Sequence, residues 1–125
     1  MKFDNDTLKI AVKEWIKNPS MAEKKYGHIS GWDTSSVTKM NALFAYAEDF
    51  NEDISSWDVS NVTEMIAMFL EAKSFNQDLR IWNVINVEKF NGIFNETNMP
   101  SQLQLKGWDG ERYPNWVSEY FKIFE

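Results

Sequence analysis

The chain has no cysteine and a single histidine among its 125 residues. Without cysteine there is no disulfide scaffold, no thiol nucleophile and no thiolate ligand for zinc or an iron–sulfur cluster. That absence leaves the compartment open, since a well-packed repeat chain does not need disulfides. Positive charge is also scarce: the formal net charge is -6 and the sequence pI is about 4.8. Nucleic-acid binders carry a basic face, and membrane-surface helices a Lys/Arg stripe, so neither class is expected. Lys9, Lys13 and Lys17 recur every fourth residue and read as the solvated side of an amphipathic helix. Long apolar runs are missing too, so neither a membrane span nor a signal peptide is expected, and the compartment stays unassigned. Gly-rich phosphate loops, metalloprotease histidine pairs and nucleophile elbows are absent from the sequence. His28 stands alone as an acid–base candidate and reads as structural, so no enzymatic activity and no cofactor is expected.

What the chain does have is aromatic residues and a repeat. Hydrophobic residues make up 43% and aromatic residues 15%, which points to an ordered core dominated by rings. Three segments align column for column: ISGWDTSSVTKMNALFAYAEDFN from Ile29, ISSWDVSNVTEMIAMFLEAKSFN from Ile54, and LRIWNVINVEKFNGIFNETNMP from Leu79. A truncated fourth copy, LKGWDG, starts at Leu105. The register tryptophans Trp32, Trp57, Trp82 and Trp108 are spaced by 25, 25 and 26 residues. One such unit cannot bury its own apolar face, so neighbouring units must stack.

Within a unit the pattern changes period. Trp57 and Val59 alternate about Asp58, which predicts a short strand with one buried face. Val62, Met65, Phe69 and Ala72 then follow at three- and four-residue steps, which predicts a short helix. Val37, Met40, Phe44 and Ala47 match them in the first copy, and Val87, Phe90, Phe94 and Thr97 in the third. Ser36, Asn61 and Asn86 precede the stripes at positions suited to helix caps. The expected fold is therefore an α/β leucine-rich-repeat-like solenoid of about 3.5 strand–helix units. Residues 1–26 form an N-terminal helical cap, 27–110 the repeats, and 111–125 a C-terminal helical cap. Leu8, Ala11, Val12, Trp15 and Ile16 supply the apolar face of the first cap. Trp116, Val117, Tyr120, Phe121 and Phe124 supply that of the second, or else an exposed partner-binding helix.

The strings YGHISGWDTSSVTKM, FNEDISSWDVSNVTEM and FNQDLRIWNVINVEKF resemble the BspA-like leucine-rich-repeat surface proteins, whose tandem units read F-N-x-D-I-S-x-W-D-V-S-N-V-T-x-M. The resemblance covers roughly residues 26–94. It implies a repeat fold and, as in characterised relatives, surface exposure with adhesion-type binding.

Stacked units place equivalent residues in rows about 4.8 Å apart. Asp33, Asp58, Asn83 and Asp109 form the row between the buried positions, facing out of the core. Like charges side by side repel, so the row calls for an explanation. The carboxylates either accept local backbone amides, face a basic or polar partner, or hold calcium. The third copy departs most, with Ile81 and Ile85 on either side of Asn83 where the other copies carry Gly or Ser. Adjacent exposed apolar residues mark contact surfaces. The expected partner-binding residues are Asp33, Asp58, Asn83, Asp109, Ile81 and Ile85, with no metal assigned. The expected function is protein or glycan recognition by a chain that is monomeric or weakly self-associating. The alternative is an assembly component that packs through its third repeat or exposed end.

Overall fold

The structure is a computed structural model and describes residues 2–98. Two helices come first, α1 (Asn5–Lys17) and α2 (Pro19–Tyr26). Asp4 caps α1: its side chain accepts from the Thr7 amide at 2.8 Å, and the Thr7 hydroxyl accepts from the Asp4 amide at 2.8 Å. Leu8, Ala11, Val12 and Trp15 face the core, whereas Ile16 is exposed. α1 ends at Lys17 with Asn18 as its C-cap, and a second helix starts directly at Pro19. Asn18 caps the second helix through the Met21 amide, and Pro19 takes the first-turn position where its missing N–H costs nothing. This Asn-Pro pair was a readable start signal for α2.

The strand–helix solenoid is not what the described residues form. They contain no strand, and neither of the two α-helices falls in the repeats. Parallel pairing is reduced to the isolated bridges Lys2–Asp33, Lys39–Glu64 and Glu64–Lys89. Each predicted helical stripe is a run of turns (residues 41–46, 66–71 and 91–96). The cause lies in where the amides go. A helix would send them four residues back along the chain. Here Met40, Ala42, Phe44 and Tyr46 instead donate to Glu64, Ile66, Met68 and Leu70 in the next copy, at 2.7–2.9 Å. Met65, Ala67, Phe69 and Glu71 do the same to Lys89, Asn91, Ile93 and Asn95. Ala42, Tyr46, Ala67, Glu71, Gly92 and Glu96 adopt positive φ, in two columns four residues apart, which turns the backbone out of the helical path.

The predicted strands fail for a related reason. Trp57 and Val59 are buried and Asp58 is exposed, as alternation requires. Yet the Trp57 amide donates to Ile54 O and the Val62 amide to Val59 O, which closes tight turns. Side chains take over the cross-copy links. Thr34 Oγ1 donates to Asp58 O at 2.9 Å, Asn61 Nδ2 to Ser35 O at 2.8 Å and Asn86 Nδ2 to Ser60 O at 2.7 Å. Asn61 and Asn86 therefore tie one copy to the previous one instead of capping helices.

The core is a set of ladders. Phe44, Phe69 and Phe94 stack at 5.5 and 5.7 Å with their planes within 6°. Phe50 stacks on Phe75 at 5.9 Å, and Trp32 on Trp57 at 6.5 Å. The register tryptophans also find carbonyls: Trp32 Nε1 donates to Gly27 O at 2.9 Å, Trp57 Nε1 to Ile29 O at 2.8 Å and Trp82 Nε1 to Ile54 O at 3.1 Å. The first copy has no predecessor. Its open amides at Thr38 and Lys39 donate to Asn5 Oδ1 at 2.9 and 3.2 Å, and its open carbonyl at Asp33 accepts from the Phe3 amide at 3.0 Å. The expected C-terminal cap and fourth copy lie outside the described residues.

Candidate functional site: the exposed rows of the repeats

The turns that leave the core put one short polar side chain on the surface in each copy. Asp33, Asp58 and Asn83 are exposed on the described repeats, and Asp109 lies outside the described residues. Adjacent turns are locked together by the Thr34, Asn61 and Asn86 bonds, which keep the row in register. Each member closes its own turn. Ser35 donates to Asp33 Oδ1 from its amide at 3.0 Å and its hydroxyl at 2.6 Å. Ser60 does the same for Asp58, its amide at 2.9 Å. The Ile85 amide donates to Asn83 Oδ1 at 3.2 Å.

These bonds answer the repulsion problem. Asp33 and Asp58 are both held below the ordinary carboxylate range, first by the serine hydroxyl and then by the serine amide. Asp33 pushes the Asp58 value the other way, but by less than the serine bonds lower it. A second row, five residues earlier, repeats the device. Asp53 accepts from the Ser55 amide at 2.9 Å, and Asp78 from the Arg80 amide at 3.0 Å. His28 fills the same column in the first copy and accepts from the Ser30 amide through Nδ1 at 3.1 Å. The Arg80 guanidinium clasps Asp78, with Nε at 2.8 Å, and this pair holds the Asp78 carboxyl low.

The isoleucines lie beside the rows. Ile81 is 73% exposed and Ile85 47%, on either side of Asn83. Gly31 and Ser56 are exposed in the Ile81 column, so only the third copy adds bulk there. Ile81 also borders a shallow depression of about 470 Å³ with Asp53, Ser55, Gln77, Asp78 and Arg80. Sequence reasoning did not bring Gln77 and Arg80 into this neighbourhood. The readable signal was Arg80, which replaces the serine found at positions 30 and 55. Chemically the surface offers ionised carboxylates, amides and two apolar side chains. Among the described residues, no three His, Asp or Glu side chains converge as a metal ion would require, and no helix is long and apolar enough to cross a membrane.

The family described as Mycoplasma protein of unknown function, DUF285, matches residues 12–123. The match spans most of the chain, which therefore belongs to this family. Comparison with curated proteins and with solved structures found no match.

Proposed function

We propose that this DUF285 chain is a non-enzymatic binding module that recognises a protein or a glycan through the exposed rows of its repeats. Asp33, Asp58 and Asn83 supply the polar contacts, and Ile81 and Ile85 the apolar centre; Asp109 continues the row in sequence. The carrying observation is the exposure of both isoleucines in the one copy where neighbouring columns hold bulk instead of Gly or Ser. Burying an exposed isoleucine against a partner is worth about 1.5–3 kcal/mol, so nature's usual place for such a pair is a contact surface. The resemblance of the F-N-x-D-I-S-x-W-D-V-S-N-V-T-x-M units to BspA-like surface proteins supports an adhesion-type role. Several hydroxyls that would be candidate nucleophiles, those of Thr34, Ser35, Ser60 and Thr63, are committed to bonds within the repeats.

The test is an array of glycans and peptides probed with the whole chain and with an Ile81→Ser/Ile85→Ser variant. Loss of more than about tenfold in affinity for the strongest binders is expected. Unchanged affinity would remove the isoleucines from the surface. The same two side chains also support the second reading, an assembly component. Sedimentation at about 1–100 µM separates the two readings. Self-association abolished by the double variant favours assembly, and a monomer throughout favours recognition.

A further inference from the structure

A groove of about 360 Å³ runs between the N-terminal helices and the end of the first copy. Its ten lining residues are Trp15, Ile16 and Pro19 on one side and residues 46–52 on the other. Trp15 and Phe50 are its buried aromatic lining residues. Glu48, Asp49 and Glu52 supply three carboxylates, and no lysine, arginine or histidine lines the groove. Two of these acids already hold a cation or imidazole from outside the lining: Lys73 reaches Glu48 at 3.6 Å and His28 reaches Glu52 at 3.4 Å. Asp49 is exposed and has no ion pair among the described residues.

Tyr46 makes the groove more than an acidic rim. It is 65% exposed and sits at φ 63°, a conformation that a bulky side chain rarely adopts. Glu71 and Glu96 occupy this column in the other copies. Among the described copies, only the one beside α1 and α2 carries a ring there, and that ring lines the same groove as Trp15, Phe50 and the Asp49 carboxylate.

We infer that this groove binds an arginine side chain presented by a partner peptide, with the guanidinium on the Tyr46 ring and its charge met by Asp49. Arginine suits the place better than lysine. Its planar group stacks on an aromatic face, and its fork matches a carboxylate. Its alkyl stem lies along Ile16 and Pro19. No residue lines both this groove and the depression beside Ile81, so the inference stands or falls independently of the function proposed above.

The probe is a capped hexapeptide with two arginines alternating with serine, titrated by calorimetry into the full chain. The control is the same peptide with citrulline, which keeps the shape and loses the charge. Binding with a Kd below about 1 mM, weakened at least about tenfold by citrulline, is expected. Tyr46→Gly should weaken binding by about tenfold without lowering the melting temperature, because glycine accepts the φ of 63° freely. Asp49→Asn should weaken it about threefold or more and flatten its salt dependence. Ile81→Ser/Ile85→Ser should leave it unchanged. Equal binding of the citrulline peptide, no binding of the arginine peptide, or wild-type affinity in Tyr46→Gly would each overturn the inference. Arginine binding that disappears in the isoleucine variant would do so as well, because it would assign the peptide to the other face.

Discussion

Asp33 and Asp58 stand in neighbouring turns with like charge, and serine is what makes that arrangement tolerable. Each carboxylate receives two bonds from the residue two places on, and each is held below its ordinary value for that reason. A depressed carboxyl contributes stability that is present above its unfolded value, about 3.9, and is lost as pH falls through the lower folded value. A Ser35→Ala/Ser55→Ala/Ser60→Ala variant should therefore be less stable than the parent at pH 6. The gap should narrow as pH drops below about 4. Urea melts at a series of pH values check this, and a gap of constant size would reject the electrostatic account. The outward direction of Asp33, Asp58 and Asn83 was legible from alternation about buried Trp and Val. Engagement of the carboxylates by local backbone amides was one of three possibilities and the serine hydroxyls were not foreseen, because spacing does not reveal which donor a side chain meets.

At the scale of elements, the same spacing succeeded for burial and failed for hydrogen bonding. Val37, Met40, Phe44 and Ala47 are all buried, as three- and four-residue steps require. A compact turn and a helix both bring such positions inward, and the pattern carries no record of whether an amide bonds along the chain or across to a neighbouring copy. The fingerprint that separates them is the pair of positive-φ columns. One holds Ala42, Ala67 and Gly92. A single glycine among two alanines was too faint a signal in the sequence. The left-handed conformation costs an alanine about 1–2 kcal/mol, and glycine gives back about 0.5–1 kcal/mol in chain entropy. Ala67→Gly should thus raise stability by up to about 1 kcal/mol, and Gly92→Ala should lower it by a similar amount. Thermal melts of both variants decide it. Destabilisation by Ala67→Gly would mean that the column is not under backbone strain.

Across the whole molecule, stability is shared along the ring ladders. Phe69 is fully buried and touches Phe44, Phe75, Trp82 and Phe94. Replacing it removes contacts with the copy before and the copy after. Phe69→Ala should cost about 3–5 kcal/mol and lower the melting temperature of all described repeats together. Near-ultraviolet dichroism of the tryptophans and far-ultraviolet dichroism should lose signal in one coincident transition. Separate transitions would show the copies unfolding one by one. The register of the three described copies was legible because Trp32, Trp57 and Trp82 repeat at a fixed interval. The N-terminal helical face was legible from Leu8, Ala11, Val12 and Trp15.

The substitution of Asn5 for a missing predecessor has a consequence of its own. Asn5 offers Thr38 and Lys39 an acceptor in place of the one that Thr38 O supplies to Thr63. The array therefore has a polarity, with a starter at one end and, between the described copies, junctions that repeat the same backbone amide ladder. Length becomes a variable that a gene can change by copying one 25-residue block, because a unit inserted between the first and second copies meets the same backbone ladder on both sides. The starter need be written only once, however many units follow.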